Sequence, residues 1–185
     1  TPLPGLTATV DGYYVKIKDR IVLTGAFDES DPDIGAELTA LNVGAAQFFT
    51  NALDTRTLGL DVILTYVGRI GLNEFRLSYA GNLNDMELGD KIKTSAKLAG
   101  KEETYFGRRE QHFLLASAPP SKNSLGLDHT MERFHGTLRF THFGRVTLID
   151  WLDTEDVYTA KVTTDLSLGY DLTDNVSLVL GAANI

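Results

Sequence analysis

Between Thr57 and Tyr66 the chain is apolar at Leu58, Leu60, Val62, Leu64 and Tyr66 and small or polar at Thr57, Gly59, Asp61 and Thr65, with Ile63 the one exception. A period of two places one set on each face of a β-strand. The pattern returns along the chain. Phe75, Leu77 and Tyr79 alternate with Glu74, Arg76 and Ser78; Phe134, Gly136, Leu138 and Phe140 alternate with His135, Thr137, Arg139 and Thr141. Val162, Thr164, Leu166, Leu168 and Tyr170 lie opposite Lys161, Thr163, Asp165, Ser167 and Gly169. Leu125, Leu127 and His129 mark another strand, and Val176, Leu178 and Leu180 begin the last. Near the start, Tyr13, Val15 and Ile17 share a face in a strand predicted over 6–24.

The segments between these strands sort by order. Turns near Val67, Met131 and Asp171 are short, whereas connections near Asp31, Ser95 and Trp151 are long. Strict short–long alternation, with strands of about ten residues or more, is the signature of an up-and-down transmembrane barrel. Strands of a soluble sandwich are usually about 5–6 residues. The prediction is an all-β, antiparallel, up-and-down transmembrane β-barrel, about seven strands of a larger barrel. One short helix is expected in a long outer loop, within 101–118, ended by Pro119 and Pro120. The stretch 45–66 reads as one long strand, or as a hairpin broken near Asn51 to Thr55.

Composition changes the picture little. With 43% hydrophobic and 23% charged residues a soluble domain is described equally well, because each barrel strand is only half apolar. The longest apolar runs fall far below the roughly 20 residues of a membrane-spanning helix. A net charge of −8 argues against nucleic acid as a partner. The absence of Cys excludes disulfides and thiolate chemistry. The chain opens at Thr1 without the basic and apolar regions of a leader; either a targeting segment has been removed or, the favoured expectation, the chain is an excerpt of a longer polypeptide.

Candidate chemistry is sparse. His112, His129, His135 and His142 form no metal-binding spacing, and His135 and His142, seven apart, should point to opposite faces of one strand. The acidic run Asp28-Glu29-Ser30-Asp31-Pro32-Asp33 could offer oxygen ligands to Ca²⁺ but lacks EF-hand spacing, and a solvated loop is the plainer reading. No Gly-x-Ser-x-Gly elbow or phosphate-cradling loop occurs, so no catalytic residue, metal or cofactor is assigned and the chain is not read as an enzyme. Arg108 and Arg109 are candidates for an anionic ligand, since Arg engages carboxylates bidentately; a surface helix with Glu102, Glu103 and Glu110 as partners is the plainer alternative. Alternation puts Arg76 and Arg139 in the polar, lumenal set. Tyr66, Tyr79, Phe140 and Tyr170 suit either an interfacial girdle or ordinary core packing.

Several segments resemble the barrel of TonB-dependent outer-membrane receptors. They are Phe48-Phe49-Thr50-Asn51 through Arg56-Thr57-Leu58-Gly59-Leu60-Asp61, Tyr13 through Ile21, Tyr105-Phe106-Gly107-Arg108-Arg109-Glu110, Phe143-Gly144-Arg145-Val146-Thr147, and Asp165 through Tyr170 with Gly181-Ala182-Ala183-Asn184. The resemblance implies residence in the bacterial outer membrane, contact with its lipid, and uptake of a scarce nutrient such as an iron-siderophore chelate. It also implies partnership with TonB through an N-terminal region and TonB box not present here. Family barrels have about 22 strands around a plug, so the plug and C-terminal strands are expected to lie outside residues 1–185. A soluble β-rich ligand-binding module and a passive porin-like barrel remain as alternatives.

Overall fold

The computed structural model describes residues 3–185. Seven antiparallel strands make one sheet: β1 (Leu6–Leu23), β4 (Phe49–Ile70), β5 (Asn73–Leu88), β6 (Ser121–Met131), β7 (Phe134–Phe143), β10 (Lys161–Thr173) and β11 (Val176–Ala182). Their spatial order, β1-β4-β5-β6-β7-β10-β11, is their order along the chain. This is an up-and-down meander with no crossover, and β1 and β11 form its two edges. The short turns, at 71–72, 132–133 and 174–175, all fall at one end of the sheet. Gly71 (φ +60°) and Glu132 (φ +51°) supply the left-handed backbone in the first two.

The long connections, 24–48, 89–120 and 144–160, all fall at the other end. They hold short elements: β2 (Phe27–Asp28), α1 (Gly35–Ala40) and β3 (Ala45–Ala46) in the first; α2 (Glu102–Phe106) and α3 (Arg108–Leu115) in the second; and the hairpin β8 (Val146–Ile149) and β9 (Glu155–Tyr158) in the third. The helical stretch expected over 101–118 is thus two helices broken at Gly107. The backbone there turns extended, and a side chain would strike the Glu103 carbonyl at 2.3 Å. Helix α1 has no amphipathic signal long enough to show in the sequence.

Sheet register sorts the side chains. On one face, Leu6, Ala8, Val10 and Tyr14 of β1 oppose Tyr66, Leu64, Val62 and Leu58 of β4. The same face continues through Phe75, Leu77, Tyr79 and Leu83, then Leu125 and Leu127, Leu138 and Phe140, Leu166, Leu168 and Tyr170, and Leu178 and Leu180. Tyr13, Val15 and Ile17 do share a face, but it is the polar one, opposite Gly59, Thr57 and Thr55.

Among the described residues no second layer covers the apolar face: Val10, Leu58 and Leu180 are 63%, 64% and 74% exposed. A contiguous apolar surface of this extent requires something other than water against it. From Leu58 to Tyr66 it spans nine residues of β4, close to the roughly 9–11 of a tilted transmembrane strand. Near the short turns it ends in a row of rings, Tyr66, Phe75, His129, Phe134 and Tyr170. Phe75 and His129 are stacked at 4.6 Å, and Phe134 lies in register with Tyr170. Tyr79 and Phe140 lie nearer the middle of the same face.

The buried core lies at the long-loop end. Val22, Phe27, Ala52, Leu53, Leu98, Tyr105 and Phe106 form it, flanked by Ile34, Leu88, Ile92 and Leu114. Phe48 stacks on Phe27 at 5.9 Å and meets Tyr105 edge-on at 5.8 Å. The Tyr105 hydroxyl is 2.5 Å from Thr50 Oγ1, which satisfies its polar end. Buried Thr24 donates its backbone N–H to the Phe48 carbonyl and accepts the Phe48 N–H on its hydroxyl. These contacts hold β4 extended through Asn51 to Thr55, so 49–70 is one strand and not a broken hairpin.

Candidate functional site: the polar face and the loop cap

The polar face of the sheet carries a network across its first three strands. Tyr13 lies over Gly59, and its hydroxyl accepts a hydrogen bond from Asn82 Nδ2 at 3.2 Å. Asn82 Nδ2 also donates to Asp61 Oδ1 at 2.6 Å, and Asn84 Nδ2 donates to Asn82 Oδ1 at 3.0 Å. Asp61 faces Asp11 in register. Lys122, Arg139 and Asp165 extend the same concave surface across β6, β7 and β10, around a cavity of 600 Å³.

Arg139 is opposite Asp165 and Gly126, and Arg76 is opposite Asp128 and Val67. Both guanidiniums are exposed, and neither makes an ion pair among the described residues. Asp128 is turned instead to Thr137, whose hydroxyl donates to it at 2.9 Å. The structure brings Arg76 and Arg139 to one face, two strands apart.

Arg108 and Arg109 sit elsewhere, at the start of α3. Arg108 bridges to the β8–β9 hairpin through Asp153 at 3.2 Å and through Glu155. Arg109 is sandwiched between the Trp151 ring at 3.7 Å and the Phe113 ring at 4.5 Å, with Glu110 at 3.2 Å. Glu110 is thus one of the partners expected for this pair; the hairpin acids have no signal in the local sequence. Next to Arg109, Ile21, Leu23, Phe49, Phe106, Phe113 and Leu114 line a largely apolar cavity of 430 Å³.

The acidic run is internally occupied. Asp28 Oδ1 accepts the Ser30 N–H at 2.8 Å, and Asp31 Oδ1 accepts those of Asp33 and Ile34. Lys101, from the second long connection, places its ammonium 2.9 Å from Asp31 Oδ2 and 3.1 Å from Asp33. The hydrogen bond from Lys101 holds the Asp31 carboxyl below its ordinary pKa, and Asp31 in turn raises that of Lys101. A protein cation therefore fills this loop, which is a tie between two connections more than a freely solvated one. His135 and His142 point to opposite faces of β7, His135 Nε2 lying 2.8 Å from Asp171.

The geometry is a wall with one face for lipid, one polar face, and a folded cap at one end. A family model, described as TonB dependent receptor-like, beta-barrel, matches residues 2–185. The chain belongs to this receptor family. TonB-dependent receptor barrels are outer-membrane transport receptors of bacteria, not enzymes, and their location assigns the apolar face to lipid. A search of curated proteins finds no match.

Proposed function

We propose that residues 1–185 form part of the wall of a larger plugged barrel that imports a scarce nutrient, with energy delivered through TonB. The observation that carries this reading is the family match over residues 2–185, joined to a seven-stranded sheet with all its long connections at one end. The long-loop end is the outer, ligand-catching end, and the polar face lines the passage. Remaining strands join β1 and β11, whose outer sides have no strand partner among the described residues.

An anionic cargo, such as an iron chelate, suits Arg139 and Arg76, which like Lys122 and Lys161 are cations of the polar face without an ion pair among the described residues. Arg108 and Arg109 support the cap that frames the entrance.

The test is uptake by cells carrying the complete receptor, compared with cells lacking it. The cargos offered are ferric complexes of catecholate, hydroxamate and carboxylate chelators, cobalamin, and oligosaccharides. Saturable uptake of one cargo, abolished by an uncoupler of the inner membrane, is expected, with uptake reduced by Arg139→Ala. Uptake that persists after uncoupling would favour a passive porin-like barrel.

A further inference from the structure

The lipid-facing side changes character abruptly at the long-loop end. On β4 the outward positions run Leu64, Val62, Leu60 and Leu58, and the next is Arg56; on β1 they run Val10, Gly12 and Tyr14, and the next is Lys16. Lys16 and Arg56 face each other in register. With Asp54, Glu87, Asp90, Lys91 and Lys93 they line a groove of 650 Å³ on the outer side of the wall.

Lys93 is neutralised there by Asp19 and by Asp54 at 2.9 Å. Lys16, Arg56 and Lys91 make no ion pair among the described residues. Like charges directly opposite on neighbouring strands repel, and an anion between them removes that repulsion. Glu87, opposite Arg56, closes the groove on the β5 side. An incoming anion is thereby confined to the β1–β4 seam.

We propose that Lys16, Arg56 and Lys91 bind the phosphate headgroup of an anionic outer-leaflet amphiphile whose acyl chains run down Tyr14, Leu58 and Leu60. The guanidinium fork matches phosphate oxygens. Long basic side chains at the rim of an apolar band reach the headgroup layer while their stems stay on apolar surface. Attraction of such juxtamembrane cations to anionic headgroups is short-ranged, so their place at the edge of the apolar face is what makes them effective. The proposal rests on the assignment of the apolar face to lipid and on the reading that the long-loop end is the outer one, and not on any cargo.

The experiment is native mass spectrometry of the complete receptor in neutral detergent, titrated with an acylated diglucosamine bisphosphate, its dephosphorylated form, or inorganic phosphate. Wild type should retain the bisphosphate glycolipid, and Lys16→Ser with Arg56→Ser should weaken retention about tenfold. The charge-keeping pair Lys16→Arg with Arg56→Lys should restore it, and Arg69→Ser near the short turns should leave it unchanged. Equal retention of the dephosphorylated form, or by the double serine variant, would overturn the proposal. Displacement of the glycolipid by millimolar inorganic phosphate would overturn the lipid source. Each variant is first required to run as a heat-modifiable band, so that failure of the barrel itself is seen separately.

Discussion

The ring of Tyr13 lies across Gly59 on the neighbouring strand, so close that a Cβ at Gly59 would stand 2.0 Å from the ring. The glycine opens the path by which the Tyr13 hydroxyl reaches Asn82, two strands away, and joins β1, β4 and β5 on the polar face. An aromatic ring packed over a cross-strand glycine is a recurrent means of pinning register in curved sheets.

Gly59→Ala should therefore cost about 1–3 kcal/mol by overpacking, because the ring must leave its place and give up Asn82. Combined with Tyr13→Ala, most of that cost should vanish. Urea unfolding of the complete receptor in detergent, followed by the heat-modifiable gel shift, measures the coupling. Additive losses would mean that ring and glycine do not communicate.

The Lys101 tie makes the cap sensitive to pH in a defined direction. Asp31 has its folded pKa lowered from an ordinary 3.8, so its contribution is full above that value and is lost as pH falls through the depressed one. Lys101 has its pKa raised from an ordinary 10.5, so its contribution is full below that value and is lost as pH rises through the elevated one. Amides of α1 and α2 should be protected throughout the neutral range and open together in acid. Lys101→Met should open them already at neutral pH. Hydrogen exchange, corrected for the intrinsic pH dependence of the amides, reads both.

The seven wall strands are legible in the sequence because period two and the order of turn lengths are properties of neighbouring residues. The cap is not. Phe27, Leu53, Leu98 and Tyr105 come from segments far apart, and no local period announces their meeting. Asn51 and Asp54 look like turn residues, yet burial of Ala52, Leu53 and Thr55 keeps β4 straight through them. On β1 the alternation itself misleads: Tyr13, Val15 and Ile17 form an apolar triplet on the polar face. The true lipid set, Leu6, Ala8, Val10 and Tyr14, is interrupted by Gly12. Arg76 and Arg139 are readable as polar-face residues, whereas the partners of Arg108 and the ring sandwich around Arg109 depend on a hairpin about 40 residues away.

Within residues 1–185, Trp151 is the single Trp, and its ring carries the Arg109 guanidinium. With any tryptophan outside these residues replaced by Phe, its emission reports whether the hairpin rests on α3. Arg109→Ala should shift that emission to longer wavelength and raise its accessibility to iodide. Arg109→Lys should do so only in part, because an ammonium retains charge but not the flat stacking surface. The contact is worth about 0.5–1 kcal/mol at such a partly exposed site, so the cap should loosen without the wall unfolding. Unchanged emission in the alanine variant would dissolve the link between the two connections.

The two faces can be separated by a single pair of adjacent substitutions. Leu166 faces lipid and lies in register with Leu138 and Ala182, whereas Ser167 faces the polar side, opposite Thr137 and Gly181. A charged residue on the lipid face costs about 2–4 kcal/mol near midplane, and much less where water reaches it. Leu166→Arg should consequently deplete the heat-modifiable receptor in the outer membrane, while Ser167→Arg should assemble at nearly wild-type level. The same charge one position apart thus tests face and not position along the strand. Equal assembly of the two variants would remove the face assignment on which the lipid contact depends.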